Sequence, residues 1–273
     1  MANPIIGRPD AFTRNAAPQQ PTYGYDQQQY SQYPPPATAP YQQPVRTGGV
    51  MTLDDVIAKT AISLGVVFVM AIASFMFIRD FAPGLLYPAV IVSALVGFVT
   101  VLMVAGRAKL PVGGVLFYAA IEGVFVGAFS LLFEMMYPGI VVSAVLATFV
   151  TAGATLAAYK FFNIRVTAKF RKVVFIATAS LAAVFLVNLV LALFGIDLGI
   201  RDIGSGAGLL SIGISVIAVI LAVLSLVVDF DSIERGIAAQ APAQESWRAA
   251  LGITVTMVWL YTEILRIMSY FRN

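Results

Sequence analysis

From Ala58 onwards an apolar stretch of about 20 residues recurs seven times. That is the length a helix needs to cross the roughly 30 Å hydrocarbon core of a bilayer. The stretches fall at approximately 58–78, 85–105, 113–133, 139–159, 173–194, 208–230 and 249–268. Backbone amides have no water to bond with at that depth, so each stretch is predicted to be a helix. The separators carry charges and helix breakers: Arg79-Asp80 with Pro83-Gly84, Arg107 to Pro111, Tyr137-Pro138-Gly139, and the basic run from Lys160 to Lys172. Several are too short for anything but antiparallel neighbours. The predicted fold is an all-α integral membrane protein, a seven-transmembrane-helix bundle over residues 50–273.

Residues 1–49 are different material, rich in Pro, Gln, Tyr and Ala, as in YGYDQQQYSQYPPPATAPYQQP. Such a segment buries too little apolar surface to offset the entropy of ordering, and a disordered tail is expected. It lacks the apolar core behind a basic start that marks a signal peptide, so insertion is expected to begin with the first membrane helix. With the N-terminus in the cytoplasm, 13 of the 17 lysines and arginines fall on the cytoplasmic side, leaving Arg79, Arg201, Arg266 and Arg272 opposite. The positive-inside rule favours that orientation, in the cell membrane, with the C-terminus outside.

Composition narrows the chemistry. The chain has no cysteine and no histidine, which removes disulfides, thiolate and imidazole metal sites and the Ser-His and Cys-His triads. No enzymatic activity and no cofactor are expected, and the basic balance is attributed to loop cations, not to nucleic-acid binding. Gly123 and Gly127 in span three and Ser211 and Ser215 in span six have the spacing of helix-packing positions. The segment GIDLGIRDIGSGAG between spans five and six reads as a flexible loop or a broken helix start.

Three acids lie inside apolar runs, where a carboxylate costs at least a few kcal/mol and marks a functional site by default. Asp229 closes span six, Glu263 lies within LGITVTMVWLYTEILRIM, and Glu122 lies within YAAIEGVFVGAF. If span six continues to about Ala238, Asp229 stands nine residues, roughly 14 Å, from its end. Counted from Ala249, Glu263 stands fourteen residues, roughly 21 Å, into the last span. Those depths allow the two acids to meet. A meeting pair would share a proton, and in its ionised form would attract a hard cation such as calcium. The competing reading pairs Glu263 with Arg266 one turn on. Glu122 is expected to be a secondary polar group, Glu134 interfacial, Asn188 a packing residue, and Asp231, Glu234 and Arg235 solvated charges beside the membrane. Intramembrane aspartyl proteases also set two acids on adjacent helices, but their GLGD-type motif is missing and their YD motif occurs in no span.

The runs VVDFDSIERG and ESWRAALGITVTMVWLYTEILRIM, with Ile121-Glu122-Gly123, resemble the closing helices and the Glu-Gly element of the transmembrane Bax inhibitor motif family, also called Bax inhibitor-1/YccA-like. The resemblance covers about residues 50–273, and its best parts look like the actinobacterial branch. It implies a pH-sensitive calcium leak in which an acid late in helix six and one in helix seven form a proton-sensing pair. Asp229 and Glu263 match those positions, with calcium as transported ion and transient ligand and with Asp231 and Arg266 as modulators. Two departures stand out: Glu occupies the helix-seven position where Asp is usual, and span two carries no cation before Arg107 to act as a basic latch. The resemblance also implies an alternative, a non-conducting regulator of a membrane-bound protease or other partner, docked through the tail.

Overall fold

The computed structural model describes residues 49–196 and 198–272; the tail expected over 1–49 lies, except for Gly49, outside them. Seven helices follow in order: α1 Leu53–Phe81, α2 Leu86–Ala105 after a single 3₁₀ turn at Pro83–Leu85, α3 Val112–Met136, α4 Ile140–Phe161, α5 Ala168–Leu193, α6 Leu209–Ala238 and α7 Glu245–Tyr270. Each of the seven predicted spans falls on one of them, and all seven helices are long and apolar enough to cross a membrane.

Local chemistry sets the ends. The Thr52 hydroxyl accepts from the Asp55 amide at 3.2 Å, and the Thr167 hydroxyl from the Phe170 amide at 3.1 Å, which satisfies one orphan N–H at the start of α1 and of α5. Glu134, expected at an interface, caps the next helix: its carboxylate accepts from the Gly139 amide at 2.6 Å and the Val141 amide at 3.2 Å. That places a negative charge at the positive end of the α4 dipole.

α7 is the central helix. In its most apolar window 78% of the residues are buried, against 17% in α1 and 11% in α5. It packs against α1, α3, α4 and α6, whereas α5 packs chiefly on α6 and α2 on α3. α7 is also the least apolar of the seven, as befits a helix surrounded by protein rather than lipid. The α1–α3 interface is close because Gly123 and Gly127 face α1. A Cβ on Gly123 would press on Met70 and the Val67 carbonyl, and one on Gly127 on Ser74 and the Ala71 carbonyl. The packing role read for these glycines is what the structure contains. Ser211 and Ser215 likewise join α6 to α7 through the Tyr270 hydroxyl, at 3.1 and 2.9 Å.

At the end where α1 begins, the chain entering the bundle is clamped to the α6–α7 turn. The Met51 amide donates to the Ala241 carbonyl at 2.7 Å and the Ala243 amide to the Gly49 carbonyl at 2.9 Å. Arg248 pairs with Glu245 at 2.6 Å and donates to the carbonyls of Ala105, Arg107 and Ala108, closing the end of α2. Asp231, expected to be solvated, is instead largely buried and binds α5 to α6 through Arg171 at 2.6 Å, with Arg235 at 3.0 Å. Asp231 lies on the side of α6 against α5, where Arg171 reaches it. Its neighbour Glu234 is exposed and accepts from the Tyr159 hydroxyl at 2.6 Å.

Candidate functional site: two acids at different depths along α7

Asp229 and Glu263 are both almost fully buried, yet they meet different partners. The Thr256 hydroxyl donates to Oδ2 of Asp229 at 2.7 Å. Glu263 lies seven residues beyond Thr256 on α7, two turns or about 10 Å farther along the axis. There its carboxylate lies against Arg201, with Nη1 at 2.8 Å from Oε1 and 3.1 Å from Oε2; the alignment makes the second contact the hydrogen bond. The residue of α7 opposite Asp229 is therefore Thr256, not Glu263.

The reason lies in where α7 starts. An apolar run gives Ala249 as its first residue, but the charged turn Glu245-Ser246-Trp247-Arg248 is already helical and held by its own i,i+3 ion pair. From Glu245 to Glu263 is eighteen residues, about 27 Å, whereas Asp229 is nine residues, about 14 Å, from the end of α6 at Ala238. Thr256, eleven residues or about 17 Å from Glu245, is the position whose depth matches.

Arg266 does not take Glu263 either. Its Nη1 donates to the carbonyl oxygen of Arg201 at 2.6 Å, while its guanidinium lies 5.8 Å from the centre of the Phe129 ring. Arg266 thus holds the backbone of the residue that pairs with Glu263. The segment carrying Arg201, read from sequence as a flexible loop or a broken helix start, is folded against the end of the bundle. Ile200 is buried, the Gly204 amide donates to the Ser269 hydroxyl at 3.1 Å, and the Ser211 hydroxyl to the Asp202 carbonyl at 3.2 Å. Gly204 has φ of +82° and lies against the Tyr137 hydroxyl, so this position needs glycine both for its backbone and for its space.

Arg201 borders two spaces. One, of about 570 Å³ at the end of the bundle, is lined by Phe129, Phe133, Asp202, Gly206 and Arg266 as well as Arg201. The other, of about 280 Å³, lies between α2, α3, α5 and α7 and is lined by Glu122, Glu263 and Arg201 among mostly apolar side chains. Ion-paired to Glu263, Arg201 stands at the boundary of the two. Removing Arg201 would leave the Glu263 carboxylate buried without its cation, which is costly.

Glu122 faces the smaller space. Tyr118, one turn before it, lines the same space, and Gly97 of α2 makes room for Glu122: a Cβ there would lie 3.0 Å from Oε1. Among the described residues, no three acids come together in a way that could hold a metal ion. Glu122 of α3 and Glu263 of α7 line the same cavity, and Asp229 of α6 meets Thr256 farther along α7. Sequence reasoning missed Thr256 and Arg201. Thr256 has the hydroxyl spacing of TVT in α7 as its only signal, and Arg201 is a lone cation in a glycine-rich segment on the cation-poor side.

A comparison with curated proteins found no match. The model of a protein family described as Bax inhibitor 1 like matches residues 3–273. The seven-helix bundle agrees with that match, and the chain belongs to the Bax inhibitor 1 like family.

Proposed function

We propose that this protein is a passive, pH-sensitive cation leak of the cell membrane, with calcium as the conducted ion and no catalytic activity. The observation that carries the reading is the pair that Arg201, from the α5–α6 loop, makes with Glu263, buried on the central helix, at the boundary between the end space and the inner cavity. A tethered guanidinium on that carboxylate both blocks the boundary and fills the cation's place. Protonation of Glu263 removes the attraction that keeps Arg201 there and lets the loop move. The groups facing Glu263 are Arg201 from the loop and Glu122 and Tyr118 from α3 across the cavity, with Arg266 one turn on along α7. Asp229 with Thr256 is a second carboxylate station, deeper in the bundle. Single acids with water completing the shell hold calcium weakly, which suits passage more than storage.

The reading is tested in liposomes loaded with a calcium dye. Flux is expected to rise on acidification, Arg201→Gln to raise flux at neutral pH, and Glu263→Gln to flatten the pH response. A flux that ignores pH in the native protein, or a pH response left intact by Glu263→Gln, overturns it.

A further inference from the structure

The inner cavity has a chemistry that conduction of a metal ion does not use. Its walls include five aromatic rings, Phe98, Tyr118, Phe125, Phe185 and Trp259, while its oxygen donors are few. Calcium asks for six to eight oxygens; an organic ammonium asks for ring faces and one carboxylate. The cavity already holds one organic cation in that manner. The guanidinium of Arg201 lies 4.0 Å from the centre of the Phe185 ring while paired with Glu263. Glu122, on the same cavity, has no ion-pair partner among the described residues.

The cavity also opens sideways. Ala94, Leu95 and Phe98 of α2 face Leu181, Ala182 and Leu186 of α5 across it, yet these two helices scarcely touch. Leu95 and Leu186 are exposed on the outer surface of the bundle, which in a membrane is the lipid side. An apolar tail between α2 and α5 would therefore lie along leucines and phenylalanines, with its head at the depth of Glu122.

The geometry points to a binding site for a lipophilic ammonium, an amphiphile that enters from the bilayer between α2 and α5 and places its cationic head between Glu122 and the aromatic rings. A neutral amphiphile of the same tail gains the apolar contacts but not the ring faces or the carboxylate. The site stands independently of ion conduction, because its occupancy is read without any flux.

The chain has two tryptophans, and Trp259 lines the cavity. In the full-length Trp247→Phe protein, reconstituted in uncharged lipid, Trp259 fluorescence is titrated with a spin-labelled alkyl trimethylammonium and with the spin-labelled alcohol of equal chain length. The permanent charge keeps the probe's ionisation out of the result. Saturable quenching by the ammonium is expected at concentrations where the alcohol quenches only in proportion to its amount in the bilayer. Glu122→Gln is expected to weaken ammonium binding at least about tenfold. Ala182→Phe, which fills the cavity from α5 and leaves Glu122 in place, is expected to abolish saturation; melting curves of both variants establish that they are folded. Equal quenching by the two probes overturns the proposal, as does unchanged ammonium affinity in either folded variant. Should Glu122→Gln not fold, Ala182→Phe and the comparison of probes decide between the same two results.

Discussion

A hydroxyl against a carboxylate and a guanidinium against a carboxylate are different devices, and α7 carries one of each. Thr256 supplies Asp229 with a neutral donor that can hold the ionised form in place without cancelling its charge. Arg201 cancels the charge of Glu263 outright. Because Thr256 and Glu263 stand two turns apart on α7, with Thr256 on Asp229 and Arg201 on Glu263, the two acids are expected to act independently. In thermal or denaturant unfolding of detergent-solubilised protein, Asp229→Asn and Glu263→Gln should add to within about 0.5 kcal/mol in the double variant. A coupling above about 1 kcal/mol would restore a directly interacting pair. Thr256→Val, which keeps the shape and removes the donor, is expected to cost about 1.5–3 kcal/mol, with Thr256→Ser close to native.

Elements are where the sequence was most readable. Lengths of apolar runs, proline and glycine breaks and the spacing of Gly123 and Gly127 located seven helices and one of their tightest contacts, because each of these signals is local. What escaped was set by register and by long-range contact. The charged turn Glu245–Arg248 lengthened α7 beyond its apolar run and so moved Glu263 out of reach of Asp229. Arg201 finds Glu263 across 62 positions of chain, which no periodicity announces. The glycine contact yields a direct test of the element scale. Gly127→Val should cost about 3 kcal/mol, the upper end of overpacking penalties, because the obstacle includes the Ala71 backbone and cannot rotate away. Gly153→Val, whose Cβ meets nothing within 4 Å on α4, is the matched control and should melt close to native.

For the molecule as a whole, the question is which way it faces. The turns at the α1 entry carry Arg107, Lys109 and the run Lys160 to Lys172, while the opposite end has Arg79, Arg201, Arg266 and Arg272. Two of these four, Arg201 and Arg266, are drawn into the bundle instead of lying in the headgroups, which sharpens the asymmetry. The α1 entry is therefore expected in the cytoplasm. A chain without cysteine makes the test clean. On intact cells an impermeant maleimide should label Phe194→Cys, and Phe162→Cys only after permeabilisation; the reverse pattern would invert the molecule. Facing that way, the protein has a mechanical peculiarity at its entry. Gly49 and Met51 are stitched to Ala243 and Ala241, so the leading segment is fastened to the hairpin of α6 and α7 before α1 begins. A pull on the chain at Gly49 would therefore be shared between α1 and the one hairpin that carries both buried acids, before it reached the other four helices.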